Sequence, residues 1–339
     1  MTEARSDVTP ERLMHMVWGF APPLAIEAAV HHGIFDALDK APMALDELAR
    51  VTRASPRGIA AVANLLVGLG LLGRDAGDRY TLTPESEAFL VSGKPAFRGG
   101  IFRHMSRQLI PNWINLDEIV ATGAPVGAFN QNEGGAAFFE QFVEDLFSVN
   151  YDAARTLAAH LDLARVAGRV SILDLAAGSG VWGIALAQSA PHAVVRAVDW
   201  PQVLPVTRRV VDRLGLSPRF TYVAGDLASA DFGEAHRVAT LGHILHSEGE
   251  QRSRVLLKKT FEALAPGGTI VIAELLVDEG RRGPLSGLVF AINMLVHTEQ
   301  GGTYTFNEIA EWLREAGFVD VRQVPAPAPS PLVLATKAG

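Results

Sequence analysis

The stretch VSILDLAAGSG, residues 170–180, decides the fold class of this 339-residue chain. An apolar run containing Val and Ile is typical of a buried strand, and here it ends in a turn of small residues. The apolar helix pattern VWGIALAQSAP follows directly, at residues 181–191. A strand that passes through a tight turn into a helix indicates the first unit of a parallel α/β sheet.

The same alternation of strands and helices continues to the end of the chain. Further strand patterns lie at residues 194–200, 220–226, 236–245 and 268–276, and a closing pair lies at 319–324 and 331–337. Helix patterns separate them at 204–215, 252–264 and 305–318. We therefore predict a doubly wound α/β domain with an open sheet over residues 166–339. Such domains bind ligands at the carboxyl ends of their strands.

Three features at these strand ends together predict a nucleoside-type cofactor site. Gly178 and Gly180 lie in the first turn, where small residues let the backbone approach a ligand at a helix N-terminus. Asp199 ends the second strand, where a carboxylate can accept hydrogen bonds from both ribose hydroxyls. Gly225 and Asp226 end the third strand, within reach of an adenine edge.

The first turn leaves two cofactor classes open. Gly178, Gly180 and Gly183 fit the G-x-G-x-x-G pattern of nicotinamide dinucleotide folds, so a dehydrogenase is the alternative. Ala176, however, occupies the first glycine position of a D-x-G-x-G-x-G pattern, and Asp174 lies inside the preceding strand. An acidic residue there is the methyltransferase form, which helps to position the amino-acid end of S-adenosylmethionine through the loop. We therefore favour S-adenosylmethionine as the cofactor.

Composition and charge exclude several classes of protein. Hydrophobic residues make up 48% and charged residues 20%, which indicates a globular chain rather than a disordered one. The net charge of −7, without a Lys/Arg cluster, argues against a nucleic-acid partner. With no cysteine, the chain has no disulfide, cysteine nucleophile, iron–sulfur cluster or thiolate zinc site. The chain starts without an apolar signal segment, and its longest apolar stretch, residues 13–26, is too short and broken to span a membrane. We expect a cytoplasmic protein.

Residues 11–95 predict a mainly helical winged-helix domain. The stretch 13–35 contains one formally charged residue, Glu27, so it requires burial in its own core or against another chain. A helix at 45–52 precedes a second helix with Ser55 as N-cap and Pro56 in its first turn, and an alternating strand pattern follows at 77–83. The candidate recognition helix, 57–72, carries a single basic residue. DNA affinity requires many phosphate contacts, so we favour dimerisation through the first helix.

Residues 96–165 predict a helical connector that contributes to a substrate pocket. Its obvious loop lies at 123–135. The aromatic residues that follow either pack in the core or line the pocket; they are Phe138, Phe139, Phe142 and Phe147.

Six short motifs, taken together, carry a family resemblance: LDLAAGSG (173–180), VDWP (198–201), AGDL (224–227), HILHSEGEQ (243–251), APGGTIVIAELL (265–276) and NMLVHTEQGG (293–302). They resemble the S-adenosylmethionine-dependent O-methyltransferases of the plant caffeate type and their bacterial small-molecule relatives. The resemblance covers nearly the whole chain. It implies a class I methyltransferase domain with a Rossmann-like sheet behind a winged-helix dimerisation domain, a homodimer and a small-molecule acceptor.

The resemblance also implies a catalytic base. In the family a histidine begins an H-D-W motif, and the matching residue here is His246, followed by Ser247 and Glu248 instead of Asp and Trp. A later carboxylate steers that histidine in the family, and Glu274 occupies its position. A carboxylate on one ring nitrogen fixes the tautomer and raises the basicity of the other nitrogen. We therefore expect His246 to act as general base and Glu274 to orient it.

The surroundings of this pair depart from the family pattern. The lysine that often precedes the base by four residues is Gly242, and Tyr304 stands where the family has a second acidic residue. His243 is expected to be structural. The acceptor is unknown, although several apolar and aromatic side chains suit a polyketide, phenol or pigment-like ring; they include Phe102, Met105, Trp113, Phe138, Phe142, Met294 and Tyr304.

The candidate binding residues form two sets. Those expected to contact S-adenosylmethionine are Asp174, Ala176, Gly178, Gly180, Asp199, Trp200, Gly225, Asp226, Leu227 and Ser148. Those expected to contact the acceptor are Phe142, Met294, His297 and Tyr304.

Two further functions stay open. Some relatives methylate the carbon of 2-oxo acids and hold iron between two histidines near these positions, which would make His246 and His297 metal ligands. No carboxylate ligand replaces the family's Asp directly after His246 unless Glu299 does so, and we therefore expect no metal. The scaffold has also been reused for chemistry without methyl transfer.

Overall fold

In the computed structural model, whose described residues are 8–125, 139, 142–327 and 330–339, the chain divides after Arg107. One unit ends at Arg107 and the other starts at Gln108. This boundary lies inside the predicted 96–165 connector rather than at either of its ends. The predicted aromatic residue Phe138 and the greater part of the predicted loop 123–135 lie outside the described residues.

The first unit is a helical domain with a small β-wing. Its helices are α1 (Glu11–Val17), α2 (Ala21–His31), α3 (Ile34–Leu38), α4 (Leu45–Thr52), α5 (Pro56–Gly68), α6 (Pro84–Phe89) and α7 (Gly99–His104). The antiparallel wing is β1 (Leu72–Arg74) and β2 (Tyr80–Leu82). The Ser55 hydroxyl accepts a hydrogen bond from the Gly58 amide at 3.1 Å, so the predicted cap of α5 is present. The winged-helix prediction is confirmed.

Helix α1 and the turn that joins it to α2 leave an apolar surface uncovered within the first unit. Trp18, between the two helices, is 65% exposed, and Leu13, Met16 and Phe20 are also more than half exposed. By length and composition alone, the helical stretch Glu11–His31 could cross a bilayer. A single stretch of this kind does not indicate a membrane protein, and this one is interrupted by a turn after Val17.

The second unit is built on a seven-stranded sheet. Its strands are β3 (Val170–Leu175), β4 (Ala193–Asp199), β5 (Phe220–Ala224), β6 (His236–Gly242), β7 (Leu264–Ala273), β8 (Phe318–Val324) and β9 (Leu332–Lys337), in the order β5-β4-β3-β6-β7-β9-β8. Strands β3 to β7 pair in parallel. Strand β9 runs antiparallel to both of its neighbours, β7 and β8. The strand order reverses between β3 and β6, which is where such sheets bind ligands.

The described helices of this unit precede these strands or lie between them in the sequence. They are α8 (Ile110–Trp113), α9 (Leu116–Thr122), α10 (Leu146–Leu161), α11 (Val181–Ser189), α12 (Leu204–Arg213), α13 (Leu245–Ala263), α14 (Leu285–His297) and α15 (Phe306–Glu315). Neighbouring residues of β3 enter opposite cores, since Ile172 packs with α10 and α11 whereas Leu173 packs with α13 and α15. The predicted doubly wound α/β fold is confirmed.

Two elements differ from the sequence prediction. The fourth strand ends at Gly242 instead of residue 245, because His243 adopts a left-handed φ of 59° that turns the chain away from the sheet. Helix α13 therefore starts at Leu245, earlier than predicted, and His246 lies in its first turn. Helix α14, which no pattern above predicted, packs against α8 and α9.

Candidate active site

A cleft opens at the carboxyl ends of the parallel strands, where the sequence predicts it. It encloses about 940 Å³ of non-atom space, part of it open to solvent. Clefts at this edge of an α/β sheet are where small-molecule ligands bind. Of the ten predicted cofactor-binding residues, seven line this cleft: Ala176, Gly178, Asp199, Trp200, Gly225, Asp226 and Leu227.

The loop between β3 and α11 needs small residues for a backbone reason. Ala176, Gly178 and Gly180 all have positive φ, at 50°, 55° and 78°. Glycine adopts this region freely, whereas an alanine there costs roughly 1 kcal/mol. The backbone at Ala176 is therefore strained where a glycine would not be. Gly180 caps α11 from outside the cleft lining.

Asp174 lies beneath this loop rather than in the cleft. Its side chain is fully buried, accepting hydrogen bonds from the Gly183 amide at 3.0 Å and the Thr240 hydroxyl at 2.7 Å. Burial raises its pKa to about 7. A Cβ at Gly183 would come within 2.8 Å of the Asp174 carboxylate, which explains the glycine there. Asp174 thus supports the loop from behind.

Asp199 forms the link between β4 and the loop. Its carboxylate accepts hydrogen bonds from the Gly178 and Trp200 amides, both at 2.7 Å. Burial raises its pKa to about 6, even though both hydrogen bonds favour the ionised form. Asp226, at the end of β5, accepts a hydrogen bond from the Ala228 amide at 2.7 Å and is more exposed.

The charges in the cleft distinguish between the two cofactor classes. Asp199, Asp226 and Glu248 line it, and no Lys or Arg does so among the described residues. The Gly178 and Gly183 amides, which could hold a phosphate at a helix N-terminus, already donate to aspartate carboxylates. The cleft therefore suits a neutral or cationic nucleoside better than a pyrophosphate.

The remaining walls fit the same kind of ligand. Phe139, Val143, Trp200 and Leu227 supply apolar surface for a flat ring. Asn150 is 7% exposed, and its Oδ1 has no hydrogen-bond partner within the described part of the chain. A ligand that carries hydrogen-bond donors would satisfy this buried acceptor.

A histidine–carboxylate pair lies beside the cleft. His246 Nδ1 is 2.8 Å from Glu274 Oε2, and the His246 amide donates to Glu274 Oε1 at 3.3 Å. The Glu274 side chain is 3% exposed and that of His246 is 12% exposed. Burial opposes ionisation of Glu274, but His246, His243 and the two hydrogen bonds outweigh burial, so the pKa of Glu274 is lowered.

The geometry of this pair fits a general base. An ionised Glu274 accepts only, so Nδ1 must carry the proton and Nε2 keeps its lone pair. The described residues include no hydrogen-bond partner for Nε2. The edge of the His246 ring packs against Phe290 of α14, with ring centroids 4.9 Å apart. The structure therefore brings together the two residues predicted as base and orienting carboxylate.

His243, expected to be structural, lies on the cleft wall. Its Nε2 is 2.6 Å from the Ser330 hydroxyl, and burial lowers its pKa to about 4. It is therefore neutral at ordinary pH, and it packs beside Trp182 and His246.

The residues predicted to contact the acceptor lie on separate elements. Phe142 packs against Phe139, with ring centroids 5.7 Å apart, and Phe139 rather than Phe142 lines the cleft. Met294 and His297 are buried on α14, and the His297 ring approaches the Asn293 carbonyl at 2.9 Å.

Tyr304 and Ser148 also lie away from the cleft lining. The Tyr304 ring packs against Trp312, and burial followed by the nearby Glu274 carboxylate raises the pKa of its hydroxyl. Ser148, on α10, lies within 3.5 Å of the Asp145 carbonyl.

Sequence reasoning missed several residues that line the cleft, among them Asn150, Trp182 and Glu248. The glycine at position 242, where the family often has lysine, is the sequence signal that could have revealed Trp182. A Cβ at Gly242 would overlap the Trp182 indole, so the lysine of the family pattern cannot fit at this position beside Trp182. For a metal, no group of three His, Asp or Glu suited to bind one occurs among the described residues.

Two protein-family models match this chain. A model of the O-methyltransferase domain matches residues 113–319, and a model of the O-methyltransferase dimerisation domain matches residues 14–92. The second match covers the winged helix and most of the exposed apolar stretch.

Relatives and solved structures cover nearly the full chain. The 3-hydroxy-5-methyl-1-naphthoate 3-O-methyltransferase of Streptomyces sahachiroi is 32% identical, covering 93% of this chain and 91% of the relative. The tetracenomycin polyketide synthesis 8-O-methyl transferase of Streptomyces glaucescens is 29% identical, covering 97% of each chain. A solved structure of a candidate O-methyltransferase from Nostoc punctiforme superposes with a TM-score of 0.89 at 26% identity, covering 98% of this chain and 100% of that one.

Proposed function

The chain belongs to the O-methyltransferase family, and on that premise we propose that it transfers the methyl group of S-adenosylmethionine to a hydroxyl of an aromatic, polyketide-like small molecule. The observation that carries the proposal is the buried pair of His246 and Glu274, placed beside a cleft that suits a nucleoside.

The cofactor is held by the strand ends in this proposal. Asp199 accepts hydrogen bonds from the ribose hydroxyls, Asp226 contacts the adenine edge, and Trp200 and Leu227 cover the purine faces. Ala176 and Gly178 let the backbone approach the amino-acid end, with Asp174, Gly180 and Ser148 supporting that end from behind. When bound, S-adenosylmethionine supplies a methyl group on a positively charged sulfur, which suits the carboxylates of the cleft.

His246 acts as the general base in this proposal. Nδ1–H donates to Glu274, so Nε2 can take the proton of the acceptor hydroxyl as its oxygen forms a bond to the methyl carbon. The carbon–sulfur bond breaks, and S-adenosylhomocysteine and the protonated His246 remain. The Glu274 carboxylate stabilises the positive imidazolium, and alignment of the reacting groups supplies much of the rate.

The acceptor proposal rests on chemistry that two relatives share. Their names specify O-methylation of a hydroxynaphthoate and of a tetracenomycin polyketide. Phe290 at the His246 ring and Met294 on the same helix offer an apolar surface for a fused aromatic ring. The Trp113 indole donates to Asn293 at 2.9 Å and so joins the predicted connector to this helix. Phe142, His297 and Tyr304 complete the proposed acceptor surroundings.

We also propose a cytoplasmic homodimer without a nucleic-acid partner. Its support is the match of residues 14–92 to a dimerisation domain, together with the exposed apolar side chains of α1 and the turn that follows it. Burying such a surface against a second copy removes it from water.

Two measurements test the proposal in sequence. Calorimetric titration with S-adenosylhomocysteine and, in parallel, NADH should give micromolar binding of the first alone. The enzyme is then incubated with methyl-labelled S-adenosylmethionine and a panel of hydroxynaphthoates and polycyclic phenols, and the label is located by NMR. Label on oxygen supports the proposal. Label on carbon would replace it with C-methylation, binding of NADH alone would indicate a dehydrogenase, and cofactor binding without transfer to any acceptor would favour a repurposed scaffold.

A further inference from the structure

Glu248 is a buried carboxylate in the cleft wall that the proposed mechanism does not use. It is 8% exposed and lies in the first turn of α13, two residues beyond His246. Its Oε2 accepts a hydrogen bond from Arg252 Nε at 2.6 Å. Among the described residues, Oε1 has no hydrogen-bond partner. One oxygen of a nearly buried carboxylate is therefore available to a ligand in the cleft.

The local backbone fixes Glu248 in this position. Gly249 interrupts α13 with a φ of 76°, and a Cβ there would come within 2.8 Å of Gln300. The helical turn that carries His246 and Glu248 is thereby separated from the rest of α13. Arg252, one turn further along, is half-exposed and anchors the Glu248 side chain.

Arg252 also links Glu248 to Asp226, at the end of the cleft where adenine is proposed to bind. Its second guanidinium nitrogen lies 3.5 Å from Asp226 Oδ2, so one arginine bridges both carboxylates. Asp226 is the residue proposed to contact the adenine edge. Glu248 therefore lies at the same end of the cleft as Asp226.

A purely structural role explains this arrangement poorly. Removing a carboxylate from water costs free energy, and burial raises the pKa of Glu248 despite Arg252. An apolar side chain of similar size would fill the same wall without that cost, and the family pattern has Trp at this position. A buried carboxylate in this wall therefore points to a ligand whose hydrogen-bond donor would satisfy it.

We propose that Glu248 is a specificity-determining residue for the purine: its Oε1 accepts a hydrogen bond from the exocyclic amino group of adenine, while Arg252 orients the carboxylate. This inference rests on the proposed cofactor. An ionised carboxylate can only accept, and the amino group at position 6 is the donor on that edge of adenine. A purine with an oxo group at this position would place an acceptor against Glu248 and be rejected.

The test compares two ligands that differ at this one position. Calorimetry measures the dissociation constants of S-adenosylhomocysteine and S-inosylhomocysteine, which carries an oxo group in place of the amino group. Wild-type protein should prefer the adenine ligand. Glu248→Ala should lower this preference roughly tenfold or more, the loss expected for one hydrogen bond to a charged group. Glu248→Gln keeps the side-chain shape and can donate through its amide, so it should bind S-inosylhomocysteine more tightly than wild type does.

The control is Glu250→Ala, which removes an exposed carboxylate two residues away that pairs with Arg254 instead. Its ligand preference should equal that of wild type. If Glu248→Gln folds normally by circular dichroism and keeps the wild-type preference, the proposed role of Glu248 is wrong. If wild type binds neither ligand, the cofactor proposal itself fails, which is a different result.

Discussion

Glu274 is the residue whose burial gives His246 its orientation. Replacing it by Gln removes the charge that fixes the Nδ1 proton and stabilises the imidazolium. We expect Glu274→Gln to lower kcat by about 10²- to 10⁴-fold, the range of a general base, because this carboxylate sets the tautomer of His246 and stabilises its charge. Binding of S-adenosylhomocysteine should stay within a few-fold of wild type, because Glu274 does not line the cofactor cleft. Steady-state kinetics with calorimetry measures both quantities, and Glu279→Gln, an exposed carboxylate beyond β7, is the matched control.

Asp199 predicts a pH dependence of cofactor binding. Its pKa is raised to about 6 in the ligand-free protein, and the ribose hydroxyls require its ionised form as acceptor. The affinity for S-adenosylhomocysteine should therefore rise with pH and level off above about 7. At pH 5 about a tenth of the protein has Asp199 ionised, so binding should weaken roughly tenfold.

Asp199→Asn separates this effect from other titrating groups, since the buried Asp174 has a pKa of about 7 and titrates in an overlapping range. The variant should bind more weakly at pH 7.5 and show a flatter pH profile than wild type. An unchanged profile would mean that Asp199 is not the group responsible.

At the level of single residues, the sequence predicted the site residues that lie at the ends of parallel strands. Asp199, Gly225 and Asp226 occupy the cleft because parallel strands end at one edge of the sheet. Glu248 could not be predicted from this rule, because it enters the cleft through the helical turn that Gly249 interrupts.

At the level of elements, the strands were predictable and two helix positions were not. Strands buried on both faces give continuous apolar runs, which is why the central strands β3 and β6 stand out in the sequence. The left-handed backbone conformation of His243 ends β6 earlier than predicted. A histidine in the sequence does not indicate such a conformation. Helix α14 is apolar over most of its length, so it lacks the polar face that marks a surface helix.

Packing between β6 and α11 is tested by Gly242→Ala. The added methyl group would overlap the Trp182 indole, which must move within a closely packed cleft wall. Such overpacking costs about 1–3 kcal/mol. We expect a Tm lower by several degrees in thermal unfolding followed by circular dichroism, together with weaker cofactor binding. Gly68→Ala, at the end of α5 with no atom near its added methyl, is the control and should leave the Tm unchanged or slightly higher. An unchanged Tm for Gly242→Ala would show that Trp182 moves without cost.

At the level of the whole molecule, the expectation of a dimer rests on α1 and the turn that follows it. Their apolar side chains are exposed in one chain, and residues 14–92 match a dimerisation domain. Light scattering after size-exclusion chromatography should give twice the monomer mass for wild type. The double variant Trp18→Asp with Phe20→Asp places charges on this surface and should give monomers.

Val120→Asp is the matched control, because Val120 is 68% exposed in the second unit. It should remain dimeric. A wild-type monomer, or a double variant that stays dimeric with wild-type stability, would contradict dimerisation through this surface.

The two-part organisation was predictable because each part has its own pattern, helices with a wing followed by alternating strands and helices. The boundary after Arg107 was not predictable, since the connector is helical on both sides of it. The acceptor is the least predictable part of the function. The apolar side chains on α14 favour an apolar acceptor but do not define its shape.

The most direct measurement is the single-turnover rate of methyl transfer to 3-hydroxy-5-methyl-1-naphthoate, or the best acceptor of the panel, in wild type and His246→Ala. The rate should fall by about 10²- to 10⁴-fold in the variant, the usual contribution of a general base, while S-adenosylhomocysteine binds with unchanged affinity. An equal rate in both proteins would contradict base catalysis by His246 and leave methyl transfer dependent on proximity alone.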